Sequence, residues 1–414
     1  MKRAIIHAIV EQHTDDAGSL HHTRSLLLSS PAATLEDLAH FDERIEAHID
    51  GLAVAGAAGW TSARRRLGDG DFQAEFAACV LAIESRDPGR LEHCFAVAEA
   101  VPQTQAVMLA AFNWVSSRFL QGTVAALINH AAPIRRTMGL LVCGTRGVDP
   151  GLGAAWFSDP SPIVRAASCR TAGEIGRLDL SDRCTAAMQD ENVTCRFWGA
   201  WSTVILGDRN GKGLQVLLQQ GATATAHRLG ASALPLQAMS VDAAHAVLQS
   251  LARDAGRMRS VIQGCGIVGN SAYVPWLIRH MADAKMARVA GEAFSLITGV
   301  NLGALGIDAQ APEHVAPVEY AGSESTDPDE GLPWPDARKV ELWWAENGSR
   351  FPEGVRFFVG RPVTRSHCLS VLRSDRQPQR ILAANYLCLL EPGTPLFDTS
   401  APAWRQQRLL SRMS

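Results

Sequence analysis

The segments DPSPIVRAASCRTAGEIGR at residues 159–177 and DENVTCRFWGAWSTVILGD at residues 190–208 superpose at an offset of 31 residues. The aligned pairs are Asp159 with Asp190, Arg165 with Arg196, and Gly176 with Gly207. Self-similarity at a period of about 30 residues indicates a helical repeat, because one such unit cannot bury its apolar face alone and must stack on its neighbours.

One arginine position can be followed along much of the chain. Its occupants are Arg135, Arg165, Arg196, Arg228, Arg259 and Arg288. An aspartate five or six residues earlier can cap the second helix of the unit, and the arginine can reach the aspartate of its own repeat or of the next. Stacked units would then form a ladder of ion pairs. The predicted ladder residues are Asp159, Arg165, Asp190, Arg196, Asp254, Arg259, Asp283, Arg288, Asp375 and Arg380.

Small residues follow the arginine in each unit, and a glycine about eleven positions later is expected to end the helix. Gly176, Gly207 and Gly299 hold that position. Near the N-terminus, Thr34 and Asp37 have the spacing of a capping box at the start of an amphipathic helix. These patterns predict an all-α fold.

Changes of pattern divide the chain into four regions. No lysine or arginine occurs from Val289 to Ala337, while acidic residues accumulate there among proline, glycine and serine, which is typical of a solvated linker. The predicted regions are an N-terminal helical region at 1–75, a repeat array at 76–303, an acidic linker at 304–335, and a helical C-terminal module at 336–414.

Composition excludes some classes of protein. The net charge of −3 leaves no general basic surface of the kind that duplex binding needs, so nucleic acid is an unfavoured partner. The nine cysteines form no C-x-x-C pair and are expected to be small core residues of a reducing compartment. We find no signal peptide and no membrane-spanning stretch, which predicts a cytoplasmic protein.

The repeats resemble the HEAT and PBS-lyase-like class, whose units carry D-x-x-P-x-V-R-x-x-A and a terminal glycine, most closely at 159–176. This resemblance implies a right-handed α-solenoid of HEAT-like helical hairpins, with a helical N-terminal cap and a helical C-terminal module. The segments LEDLAHFDERIEAHIDGL, RVAGEAFSLITGV, LPWPDARKVELWW and EPGTPLFDTSAPAWRQQ look like an uncharacterised bacterial family that is commonly encoded in type VI secretion clusters. The resemblance implies an accessory role in secretion and supplies no catalytic residues.

Two sequence features imitate functional sites. GCGIVG at 264–269 matches G-x-G-x-x-G, but a dinucleotide site needs those glycines between a strand and a helix, and here the repeat register places Gly269 at a helix end. His21 and His22 are adjacent and lack the spacing of helical metal ligands, so we assign them to a polar loop. No nucleophile elbow occurs. We therefore predict no catalytic, cofactor or metal site.

The densest aromatic cluster of the array is formed by Phe197, Trp198 and Trp201, beside Arg196. Tryptophan and arginine are favoured at binding hot spots, so these four residues are the predicted partner-binding site. The alternative is that the rings pack in the core of the hairpin, and Trp201 is the stronger candidate for that position.

We expect a noncatalytic scaffold, adaptor or chaperone that binds a protein, such as a secretion effector or a component of the apparatus. One alternative is a HEAT-type DNA-modifying enzyme, such as a base-excision glycosylase with a basic concave groove. A bilin lyase is a third possibility, which rests on the repeat class alone.

Overall fold

The computed structural model describes residues 5–68, 75–209, 211–221, 229–312, 327 and 329–413. Helices dominate these residues, and the strands among them are four two-residue segments. The predicted all-α class is therefore confirmed. The chain divides into two compact units, of which the first contains residues 1–29, 33–207 and 392–414 and the second contains residues 30–32 and 208–391.

The first unit contains twelve of the α-helices in the described residues. They are α1 (His7–Leu27), α2 (Leu35–Ala55), α3 (Ala57–Arg65), α4 (Glu75–Ser85), α5 (Pro88–Ala100), α6 (Thr104–Trp114), α7 (Thr123–Ile128), α8 (Pro133–Arg146), α9 (Pro162–Glu174), α10 (Ser181–Ala187), α11 (Val193–Ile205) and α21 (Ala403–Leu410). Short 3₁₀ helices span Ser117–Leu120, Ala154–Ser158 and Leu178–Leu180.

The second unit contains the other nine α-helices and both strand pairs. The helices are α12 (Lys212–Gly221), α13 (Leu229–Ala238), α14 (Val241–Leu251), α15 (Met258–Val268), α16 (Val274–His280), α17 (Ala287–Thr298), α18 (Ala337–Asn347), α19 (Arg365–Ser374) and α20 (Gln377–Leu390). Strands β1 (Asp308–Ala309) and β2 (Trp334–Pro335) pair antiparallel, as do β3 (Phe357–Phe358) and β4 (Arg361–Pro362). Its 3₁₀ helices span Ala255–Arg257, Ser271–Tyr273 and Gly348–Arg350.

Local signals set the helix ends as predicted. The capping box of α2 is present: the Thr34 amide donates to Asp37 Oδ2 at 2.8 Å, and the Asp37 amide donates to Thr34 Oγ1 at 3.3 Å. Gly176, Gly207 and Gly299 follow the ends of their helices with φ of 76°, 126° and 72°. Only glycine reaches these values without strain.

The longer second helices of the first-unit repeats, α8, α9 and α11, pack side by side, and a short helical segment precedes each of them. Small residues permit the close approach. A Cβ added at Gly173 of α9 would lie 2.5 Å from Ser202 Oγ, and one added at Gly199 of α11 would lie 2.7 Å from the Cys184 carbonyl oxygen. All nine cysteines of the chain are buried, as expected for core residues.

The segment before α21, and the first turn of α21 itself, run across helix ends of the first unit. The Leu396 amide donates to the Glu174 carbonyl at 2.8 Å, and Arg405 donates to the Asn113 carbonyl at 2.9 Å. Between these two residues, the Ala401 carbonyl accepts a hydrogen bond from Arg24 of α1 at 3.0 Å. Arg24 is also paired with buried Asp42 of α2. These contacts satisfy carbonyl groups that helix ends and irregular segments otherwise leave without donors.

The second unit has an equivalent crossing. The Phe357 amide donates to the Gly269 carbonyl at 2.8 Å, and the Val359 amide donates to the Leu296 carbonyl at 2.7 Å. Residues 357–359 therefore pass over the C-terminal ends of α15 and α17. Val340 and Phe294 are fully buried in the core beneath.

We predict that Gly199→Ala destabilises the first unit. The new methyl group would collide with backbone at the Cys184 carbonyl, and overpacking of about 1–3 kcal/mol exceeds the gain of about 1 kcal/mol in helix propensity. The free energy of unfolding, measured by chemical denaturation, should fall. Gly153→Ala is the control, because its φ of −132° suits alanine and no atom lies within 4 Å of the new Cβ. Equal stability of the two variants would contradict the close packing.

Candidate functional site

The first unit contains one ion pair between predicted ladder residues, Arg165 with Asp190, and a second between Arg136 and Asp159. The fourth residue of α8, α9 and α11 is an arginine, and each guanidinium donates to two carbonyl groups of the turn before its own helix. The bonds run from Arg136 to His130 and Ala131 at 3.0 and 2.6 Å, from Arg165 to Asp159 and Pro160 at 2.9 and 3.3 Å, and from Arg196 to Asp190 and Glu191 at 2.8 and 2.8 Å.

Arg136, and not Arg135, therefore holds this position in α8. The prediction was one residue out, because adjacent arginines make the two registers indistinguishable in the sequence. Arg135 points to α5 instead, where it donates to both carboxylate oxygens of Glu92 at 2.7 Å and to Glu99 at 2.8 Å. Its guanidinium also lies 4.8 Å from the centre of the Phe95 ring.

In the first unit, Asp159 and Asp190 pair with the arginine of the preceding repeat. Arg136 donates to both Asp159 oxygens at 3.1 and 3.0 Å, and Arg165 donates to both Asp190 oxygens at 2.7 and 2.9 Å. All four side chains are at most 16% exposed. The Asp190 carboxylate also accepts the Asn192 amide at 2.9 Å, so the aspartate shapes the turn while Asn192 caps α11. One ion pair thus joins the turn before α9 to α8, and another joins the turn before α11 to α9.

In the second unit the arginines reach the acidic stretch of the sequence. Arg259 pairs with Asp329 through two bonds, one of them 3.0 Å long. Arg288 donates to Asp327 at 2.6 Å and lies 4.8 Å from the centre of the Trp334 ring. At least part of the predicted linker therefore packs against the repeats.

The remaining ladder residues have other contacts. Asp254 accepts the Gly256 amide at 2.9 Å, and Asp283 accepts the Lys285 amide at 3.0 Å, so both stabilise turns. Arg380 is fully buried and donates to the Leu372 carbonyl at 2.9 Å and to Gln377 at 2.6 Å. Asp375 is mostly buried, which raises the pKa of its carboxyl group. Arg228 lies outside the described residues.

The aromatic cluster divides into core and surface. Trp201 and Phe197 are 4% and 8% exposed and belong to the core, whereas Trp198 is half-buried. The Trp198 ring meets the other two rings edge to face, with centroid distances of 5.1 Å to Phe197 and 5.4 Å to Trp201. Two buried rings therefore hold the Trp198 ring in place.

A neighbouring helix completes this surface with residues that the sequence analysis did not select. The Arg170 guanidinium of α9 lies 4.8 Å from the centre of the Trp198 ring, and its Nε donates to Glu174 Oε1 at 2.8 Å. Glu174 Oε2 is buried and has no hydrogen-bond partner among the described residues. The sequence feature that could have predicted this ion pair is the spacing of four residues between Arg170 and Glu174, which places them on one face of a helix. We call Arg170, Glu174 and Trp198 the Trp198 surface.

The glycine-rich motif is not a dinucleotide site. GCGIVG forms the C-terminal end of α15, and Gly269 ends that helix in the left-handed conformation with φ of 73°. A pyrophosphate site would require the N-terminal end. Nearby, burial raises the pKa of Glu292 in α17 to about 7, although Arg376 lies 3.9 Å away.

The histidines near the N-terminus lie on α1, and not in the predicted loop. His21 stacks on Phe76 at a centroid distance of 3.7 Å, and burial lowers the pKa of its imidazole to about 3. His13 and His48 meet through their Nδ1 atoms at 3.0 Å. In the described part of the chain, no three histidine, cysteine, aspartate or glutamate side chains come together in a way that could hold a metal ion.

Comparison with known proteins adds no relative. No family model, curated protein or solved structure matches the chain significantly. Across the described residues, no helix combines the length and apolarity needed to cross a bilayer.

We predict that Asp190→Asn lowers the free energy of unfolding by about 1–3 kcal/mol at neutral pH. The hydrogen bonds from Arg165 hold the pKa of Asp190 below its usual value. The ion pair therefore contributes stability above the unfolded-state pKa of about 3.9, and this contribution is lost as the pH falls through the folded-state pKa. The difference between wild type and variant should thus shrink in acid. Denaturation at pH 7 and pH 3 measures it.

Asp179→Asn is the matched control, because Asp179 also pairs with an arginine, Arg177 at 2.7 Å, but is 62% exposed. An exposed ion pair contributes little, so this variant should stay close to wild type at both pH values. A loss as large as that of Asp190→Asn would show that burial does not distinguish the ladder.

Proposed function

We propose that this chain is a noncatalytic scaffold that binds a protein partner through the Trp198 surface. In this proposal the helical hairpins form a right-handed α-solenoid of the HEAT type, the protein is cytoplasmic, and it is accessory to type VI secretion. The cellular role rests on the sequence resemblance. The observation that carries the binding role is the half-buried tryptophan, stacked with an arginine and supported by two buried rings.

The chemistry of the Trp198 surface suits a hot spot. Trp198 is already fixed by Phe197 and Trp201, so binding would cost little side-chain entropy. Arg170 is oriented by its bond to Glu174 and presents a planar cation beside an aromatic ring. Rigid aromatic and arginine anchors of this kind account for much of the affinity at protein interfaces.

The ladder arginines favour a scaffold over the alternative of a DNA-modifying enzyme. Binding to a phosphate backbone needs cations that are available to the ligand. The guanidinium groups of Arg136 and Arg165 instead donate their hydrogen bonds to turn carbonyls and to aspartates of the chain. In the basic run at 64–66, Arg65 lies 3.7 Å from Glu11 and Arg66 lies 2.5 Å from Asp15.

We expect affinity purification of the tagged chain from the host that encodes it to recover one protein at near-stoichiometric yield. Trp198→Ala should reduce that recovery, and calorimetry with the purified partner should show a loss of at least about 2 kcal/mol in binding free energy. Arg170→Gln should weaken binding in the same direction, because it removes the cation that lies beside the ring.

Trp404→Ala is the matched control, since Trp404 is an exposed tryptophan on α21 of the same unit at 38% exposure. Its removal should leave partner recovery unchanged. A partner that binds Trp198→Ala and wild type equally would refute the assignment of the surface. Recovery of nucleic acid in place of a protein would favour the enzyme alternative.

A further inference from the structure

Three arginines of the first unit share one contact and differ in a second. In Arg136, Arg165 and Arg196, Nη1 donates to two carbonyl groups of the turn before the helix. The other donors of the first two arginines bind an aspartate of the next turn. Nη2 of Arg136 donates to Asp159, and Nε and Nη2 of Arg165 donate to the two carboxylate oxygens of Asp190.

Arg196 has no such aspartate. Among the described residues, its guanidinium donates only through Nη1, to the Asp190 and Glu191 carbonyls at 2.8 Å each. The sequence explains the difference, because the position 31 residues after Asp190 is Gly221, and no aspartate or glutamate occurs from Arg209 to Val241. The stretch of chain that follows α11 therefore lacks the carboxylate that the two preceding arginines receive.

The free donors of Arg196 are open to solvent. The side chain is half-buried, and neither Nε nor Nη2 is among the buried polar atoms without a partner in the described residues, whereas Nε of Arg136 is. The Nε and Nη2 hydrogens leave the planar guanidinium side by side, which matches the two oxygens of one carboxylate. Arg196 thus presents to solvent the same pair of donors that Arg165 uses for Asp190.

We propose that Arg196 binds the carboxylate of an aspartate or glutamate side chain of a protein partner, in the way that Arg165 binds Asp190. That the occupant is a protein rests on the proposed function, and Arg196 lies on the same helix as Trp198. The carboxylate would accept one hydrogen bond from Nε and one from Nη2. Nη1 would keep its bonds to the turn carbonyls, so the guanidinium is already held in place before the partner arrives.

The test uses a peptide of the chain's own turn, AMQDENVT at residues 187–194, with blocked ends. Its aspartate is the residue that Arg165 binds, and because Arg165 is occupied within the chain, the added peptide should bind at Arg196. A second peptide carries asparagine in place of that aspartate and keeps the glutamate. Titration of each peptide with the full chain at matched ionic strength, followed by the NMR signals of the peptide, gives both affinities. We expect the aspartate peptide to bind about tenfold more tightly, the effect of charge-assisted hydrogen bonds.

Two variants locate the site. Arg196→Lys keeps the positive charge and a donor for the turn but cannot offer two parallel N–H groups, so the difference between the peptides should fall to about twofold. Arg183→Gln is the control, because Arg183 of α10 is an exposed arginine without an ion pair in the described part of the chain. It should leave the tenfold difference unchanged. Equal affinities of the two peptides for the wild type, or a tenfold difference that persists in Arg196→Lys, would overturn the proposal.

The peptide test is independent of partner recovery through the Trp198 surface. Peptides that bind equally, together with a partner whose recovery requires Trp198, would reject the Arg196 site and keep the proposed surface. Discrimination between the peptides at Arg196, without a partner whose recovery requires Trp198, would support the carboxylate site and refute the proposed surface.

Discussion

Arg136 and Arg165, each the fourth residue of its helix, hold neighbouring repeats of the first unit in register. Arg165 binds two carbonyls of the turn before its own helix and the carboxylate of Asp190 in the next turn. The guanidinium is planar and its donors point in fixed directions, so these contacts together define the position of one turn relative to the preceding helix. A lysine has one rotating ammonium group and could not impose the same geometry.

The Trp198 surface depends on that register. Trp198 belongs to α11, whereas Arg170 and Glu174 belong to α9. The stack therefore forms only when the two helices lie at the spacing that the Asp190 ion pair and the small residue Gly173 allow. A change at the turn would therefore displace the proposed binding surface without altering any of its residues. The Asp190 ion pair contacts only groups of the chain itself, whereas the proposed binding surface lies on the helices that it positions.

Local patterns in the sequence predicted much of the secondary structure, because caps and helix-ending glycines act within a few residues. Thr34 and Gly299 are examples. Features that depend on packing between distant segments could not be predicted from the sequence. Two examples are the choice between Arg135 and Arg136 as the residue that faces the next repeat, and the stacking of His21 on Phe76. The pairing of Arg259 with Asp329 spans 70 residues of chain.

The contacts of Arg24 with Ala401 and of Asp42 with the Ala403 amide join residues separated by 377 and 361 positions. During synthesis the helices near the N-terminus leave the ribosome long before these partners exist, so the ion pair between Arg24 and Asp42 must wait for its last hydrogen bonds. Ordering so long a loop delays such contacts. The first unit therefore completes its packing only after translation has passed residue 403, and until then it is open to chaperones and proteases.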